Sequence, residues 1–127
     1  MKRRSFLKLA VASPLIVKSS VLGAQETPPS EQVLIGVIGV GGRAQELIRT
    51  LSQIPTAKIV SICDCYKPRV DYTLESFGKQ NEWHTYTNPI EMLDKEKLDG
   101  VIVATSTHSR AWVSANAFIR NMDVYME

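Results

Sequence analysis

The chain has 127 residues, with 15 lysines and arginines against 13 acids, and a formal net charge of +2. Lys2, Arg3, Arg4, Lys8 and Lys18 lie in the first 24 positions, which hold no acid; the other 103 residues carry 10 basic and 13 acidic side chains, a net −3. The apparent basicity belongs to a tail, which excludes a general nucleic-acid affinity, while 44% hydrophobic and 22% charged content suits one folded domain. Two cysteines exclude a disulfide scaffold. No apolar run reaches the ~18–20 residues of a membrane-spanning helix.

Residues 1–24 read as an export signal. A basic opening (Lys2 to Lys8) precedes a short apolar run, Leu9 to Val17, broken by Ser13 and Pro14, and small residues close the segment at Gly23 and Ala24. Arg3-Arg4 followed by Ser5-Phe6-Leu7-Lys8 resembles the twin-arginine signal, with Lys2 in its polar position. The resemblance implies passage through the twin-arginine machinery to the periplasm, already folded. The alternative is an amphipathic basic helix at a cytoplasmic N-terminus. Residues 25–32, with Pro28 and Pro29, read as a flexible linker.

Residues 33–127 alternate between strand and helix patterns. Val33 to Ile38 is a continuous apolar run suited to a strand buried on both faces. Ala44, Leu47, Ile48 and Leu51 form a helical stripe that Pro55 ends. Lys58 to Cys63 is a second strand. Pro68 opens a second helix carrying Val70, Leu74 and Phe77, and Gly78 closes it. His84 to Thr87 is a short third strand, and Asn88-Pro89 caps a short helix with Ile90 and Leu93. Val101 to Ala104 is a fourth strand. Ala111, Ala115, Phe118 and Met122 line a fourth helix that stops at a left-handed Asn121. Val124 to Met126 begins a fifth strand. This rhythm predicts an α/β fold of Rossmann type, a doubly wound parallel sheet with helices on both faces. Ligands on such sheets bind at the carboxyl ends of the strands, near the switch in strand order.

The unusual chemistry collects at those ends. Gly39-Val40-Gly41-Gly42-Arg43-Ala44 fits G-x-G-x-x-G/A between a strand and a helix. Gly39 permits a tight turn, Gly41 lets backbone amides approach a diphosphate, and Ala44 keeps the helix close to the strand. The helix N-terminus adds partial positive charge, and Arg43 either adds a full one or points to solvent. Asp64 ends the second strand, where a carboxylate accepts from both hydroxyls of a ribose and repels a 2′-phosphate. This favours NAD over NADP, a preference that Lys67 and Arg69 soften. The alternative is an ordinary glycine turn, with Asp64 capping the next helix. Cys63 reads as a core residue and Cys65 as a free thiol, with no metal-ligand cluster around them. Thr105-Ser106-Thr107-His108 follows the fourth strand, where at least one hydroxyl is expected to cap the helix and His108 is a ligand contact or a helix-start residue. His84 reads as structural.

Gly36 to Ala44, Ile62-Cys63-Asp64, Val101 to His108 and Asp123 to Glu127 together resemble the glucose–fructose oxidoreductase / inositol dehydrogenase (Gfo/Idh/MocA) family over residues 33–127. The resemblance implies an NAD(P)-binding domain with cofactor contacts from Gly39, Val40, Gly41, Gly42, Arg43, Asp64, Arg69, Thr105, Ser106, His108 and Glu127. The family's fourth-strand loop usually reads Thr-Pro with a histidine four residues later; here Ser106 and Arg110 take those places, and His108 matches a second histidine seen in some members. The family's fifth strand runs into Glu-Lys-Pro with a catalytic lysine, and this chain ends at Glu127. It therefore reads as a truncated member without the substrate domain, with no catalytic residue of its own and with oligomerisation left to the full-length protein. The implied activity is hydride transfer on sugars or polyols with a tightly held cofactor. NAD-dependent glycoside hydrolysis and a non-catalytic fragment stand as alternatives.

Overall fold

In the computed structural model, residues 29–78 and 81–127 are described. Residues 1–24, read from the sequence as an export signal, and residues 25–28 of the expected linker lie outside them, and Pro29–Glu31 form a single 3₁₀ turn. The elements that follow are β1 (Val33–Ile38), α1 (Gly42–Leu51), β2 (Ala57–Cys63), α2 (Lys67–Phe77), β3 (His84–Tyr86), α3 (Pro89–Lys95), β4 (Gly100–Val103), α4 (Thr107–Ile119) and β5 (Asp123–Met126). All strands pair in parallel, in the order β3-β2-β1-β4-β5. Every predicted element is present, and the strand order reverses between β1 and β4.

Two apolar layers explain why the strands are apolar on both faces. Val37, Ile59, Ile62 and Ile102 meet Ala44 and Ile48 of α1 and Val70 of α2. Ile38, Cys63, Val101 and Val103 meet Met92 and Leu93 of α3 and Val113 and Ala117 of α4. Adjacent residues along a strand point to opposite faces, so Ile38 and Val37 serve different layers. Gly36 faces the second layer, where a Cβ would lie 2.7 Å from both Leu98 Cδ1 and Met92 Cε. Asn88 caps α3 as predicted, its Oδ1 accepting from the Ile90 amide at 2.9 Å. Asn121 adopts φ 57°, the left-handed stop after α4.

Two expectations fail at α4. The predicted stripe of Ala111, Ala115 and Phe118 faces solvent, with Phe118 60% exposed, and the buried face is Val113, Ser114 and Ala117. Both stripes have helical spacing. The packing decides between them: Val113 and Ala117 join Val101 and Val103 of β4 and Met92 and Leu93 of α3 in one cluster. Met122 is buried as expected, but from beyond the helix end. Nor does a hydroxyl cap α4. Ser106 occupies the cap position without a side-chain bond to the helix amides, because its Oγ lies toward His108 Nε2 (3.4 Å) and Ser109 Oγ (3.5 Å).

Candidate functional site

The parallel register brings the carboxyl ends of β1, β2 and β4 level. The Gly39 amide donates to the Cys63 carbonyl at 2.8 Å, and the Ala104 amide donates to Ile38 at 2.9 Å. Gly39 turns the chain out of the sheet at φ +85°, and a Cβ there would lie 2.7 Å from the Ala104 carbonyl oxygen. Only glycine satisfies both conditions at this position. Val40 then returns its side chain to the core, fully buried, and Ala44 packs α1 on the strand with no exposed surface.

The turn leaves donors unspent. Among the described residues, none accepts a hydrogen bond from the amides of Gly41, Gly42 or Arg43, which open the first turn of α1. A Cβ on Gly41 or Gly42 would meet nothing within 4 Å. The open side of the turn faces a crevice of about 360 Å³ between the β1, β2 and β4 ends, lined from one side by Gly39, Gly41, Asp64, Cys65 and Arg69 and from the other by Thr105, Ser106, His108, Ser109 and Trp112.

Asp64 sits at the centre of this arrangement and is 6% exposed. Its Oδ2 accepts from the Val40 amide at 3.0 Å, and its Oδ1 accepts from the Tyr66 amide at 2.9 Å. The second bond closes a local turn two residues on. It does not cap α2, whose cap residue is Tyr66, so the helix-cap alternative for Asp64 falls. Arg69 Nη1 lies 3.9 Å from Asp64 Oδ2, with its guanidinium carbon 5.8 Å from the centre of the Tyr66 ring.

Gly39, Gly41, Asp64, Arg69, Thr105, Ser106 and His108 thus share one crevice, while Val40, Gly42, Arg43 and Glu127 lie outside its lining. Arg43 is exposed and outside the crevice lining, its guanidinium paired with two acids: Nε donates to Glu127 Oε1 and Nη1 to Glu46 Oε2, both at 2.7 Å. The Arg43 guanidinium and the Tyr125 hydroxyl hold the Glu127 carboxyl below its ordinary pKa. Burial pushes the Cys63 thiol up to about 12, whereas Cys65 is exposed at the crevice wall. His84 is tied to Glu96, Nδ1 to Oε1 at 2.7 Å, away from the crevice. Ser109 and Trp112 were not anticipated in the lining. Their spacing from Thr105 and His108 at three or four residues along a helix was the available signal.

Residues 33–127 match the Gfo/Idh/MocA family, an oxidoreductase family with an NAD-binding Rossmann fold. The chain belongs to that family and carries its NAD-binding domain. Among curated proteins it is 33% identical over 97 residues to a glycosyl hydrolase family 109 protein of Porphyromonas gingivalis, covering 70% of this chain and 21% of that protein. It is 40% identical over 76 residues to an alpha-N-acetylgalactosaminidase of Tannerella forsythia, covering 55% and 16%. The chain therefore spans less than a third of either relative. Among solved structures, a probable dehydrogenase from Thermotoga maritima superposes with TM-score 0.67 at 26% identity, covering 74% of this chain and 27% of that one. The WlbA dehydrogenase from Bordetella pertussis, solved with NADH and UDP-GlcNAcA, superposes with TM-score 0.68 at 19% identity, covering 75% and 28%, and shows the shared fold.

Proposed function

We propose that this chain is the dinucleotide-binding part of an exported NAD-dependent oxidoreductase that acts on sugars or polyols and keeps its cofactor bound between turnovers. The observation that carries the reading is the unspent amide of Gly41 in the same crevice as the Asp64 carboxylate, with the unspent amides of Gly42 and Arg43 following it at the start of α1. The fit is good: the turn is free of side chains where a diphosphate would lie, since a Cβ on Gly41 would stand in open space. The three amides would hold the diphosphate oxygens at the positive end of α1. Each oxygen of Asp64 already accepts one amide and keeps a second lone pair, so the carboxylate can also accept from two ribose hydroxyls. A 2′-phosphate would bring like charge against it, which favours NAD, while Arg69 moderates the repulsion. Thr105, Ser106 and His108 would border the nicotinamide half, whose chemistry is to accept or return a hydride. Export rests on the composition of residues 1–24. A compartment without a free dinucleotide pool requires the cofactor to stay bound.

Titration of the chain with NADH, followed by energy transfer from Trp112 in the crevice wall, is expected to saturate. No transfer at millimolar NADH rejects the reading in favour of a non-catalytic domain. The Asp64→Ala variant is expected to narrow the affinity gap between NAD and NADP about tenfold, the order of one or two charge-assisted hydrogen bonds. An unchanged ratio rejects the ribose role.

The sequence relatives favour a second reading, glycoside hydrolysis with NAD. A sugar is there oxidised transiently, loses its leaving group and is reduced again, with no net redox change. Release of nitrophenol from a nitrophenyl N-acetylgalactosaminide without NADH accumulation supports that reading. Accumulation of NADH from a free sugar or polyol supports the first.

A further inference from the structure

The carboxylate of Asp64 does more in this structure than wait for a ligand. It is buried, and the donor on its Oδ2 is the amide of Val40, 24 residues earlier and inside the glycine turn itself. The turn has few other restraints. Gly39 is bonded to Cys63, and the next amide engaged by the protein is Gln45, which donates to Gly41 at 3.1 Å. Between them, Val40 is the one amide fixed by a side chain, and among the described residues none accepts from the four that follow, Gly41 to Ala44. Two glycines in succession at 41 and 42 would otherwise leave this stretch conformationally free.

We propose that Asp64 is a positioning residue for the glycine turn, holding Val40 so that the amides of Gly41, Gly42 and Arg43 converge on an anion before any ribose is present. The proposal deepens the dinucleotide reading and rests on it for the identity of the anion. The geometry provides the coupling. Oδ1 is fixed by the Tyr66 amide on the β2 side and Oδ2 by the Val40 amide on the β1 side, so one side chain ties the two loops that flank the crevice. Arg69 at 3.9 Å adds charge beside Oδ2 without replacing either bond. Preorganised donors bind an anion more tightly than donors that must be ordered on binding.

The test begins with the ligand-free chain. Amide hydrogen exchange at Val40 is expected to accelerate about tenfold in Asp64→Ala and to stay unchanged in Arg69→Ala, as loss of one net hydrogen bond dictates. Where Asp64→Ala does not fold, Asp64→Asn is read instead. It has one acceptor oxygen for two amides, so Val40 or Tyr66 loses protection; unchanged exchange at both overturns the proposal. The second measurement uses inorganic pyrophosphate, which has no ribose, as a competitor of NADH. Both Asp64 variants lose the negative charge, but only Asp64→Asn keeps an acceptor, so it is expected to bind pyrophosphate about threefold or more tighter than Asp64→Ala. Equal affinities overturn the proposal. Failure of the wild-type chain to bind NADH would sink the cofactor reading alone, since the exchange experiment needs no ligand.

Discussion

Gly39 and Ser61 show how single residues set the terms of this fold. Gly39 combines φ +85° with a Cβ position 2.7 Å from a backbone oxygen, so no side chain can rotate to relieve the contact. Gly39→Ala is expected to cost about 2–3 kcal/mol of stability and to abolish NADH binding, measured by denaturant unfolding and by titration. A variant that unfolds and binds like the wild type would show that the turn is not constrained. Ser61 lies in the middle of β2 with no exposed surface and, among the described residues, no partner for its hydroxyl. An orphaned buried hydroxyl is a liability, so Ser61→Ala should raise stability by about 1 kcal/mol; a loss of stability would mean that the hydroxyl has a role the packing does not reveal. Most of the crevice was legible at this scale. Gly39, Gly41 and Asp64 announce themselves because a turn without Cβ atoms and an acid at a strand end are local patterns. The Val40–Asp64 tether and the Arg43–Glu127 ion pair are not local. Their partners are 24 and 84 residues apart, and only the sheet register aligns them.

At the scale of elements, strands and helix boundaries followed from composition, because a parallel sheet buries both faces and leaves continuous apolar runs between glycine and proline stops. The face of α4 did not follow. Its sequence carries two helical apolar stripes, and the contact with β4 and β5 decides between them. Ser114, buried there, places its Oγ 3.5 Å from Met126 Sδ, which no periodicity anticipates. The short strand β3 is secured from outside the sheet, since both His84 and the Tyr86 hydroxyl meet Glu96 at the end of α3. The bond to Glu96 pushes the Tyr86 hydroxyl from 10.0 up to about 12. A raised folded pKa means that the stabilisation is complete below pH 10 and is lost as pH rises toward about 12. Spectrophotometric titration should therefore find Tyr86 late and returned to the ordinary range in Glu96→Gln, while Tyr125, raised by its bond to Glu127, is unaffected by that substitution. A tyrosine population that titrates identically in both proteins would contradict the bond.

For the molecule as a whole, the strand order places the reversal between β1 and β4 under the crevice, and the two apolar layers hold α1 and α4 on opposite faces of the sheet. The site is thus a product of topology: residues 39–43, 64–69 and 105–112 converge only because three parallel strands end together. In the proposed function, amides at the start of α1 receive a diphosphate while Asp64 receives the adjoining ribose. The most direct measurement is a residue-resolved NMR titration of the chain with NAD. Saturable shifts should centre on the amides of Gly41, Gly42 and Arg43 and on residues 64–66, with Thr105 and Ser106 responding at the nicotinamide side. Shifts that avoid the glycine turn, or none at millimolar NAD, would contradict it.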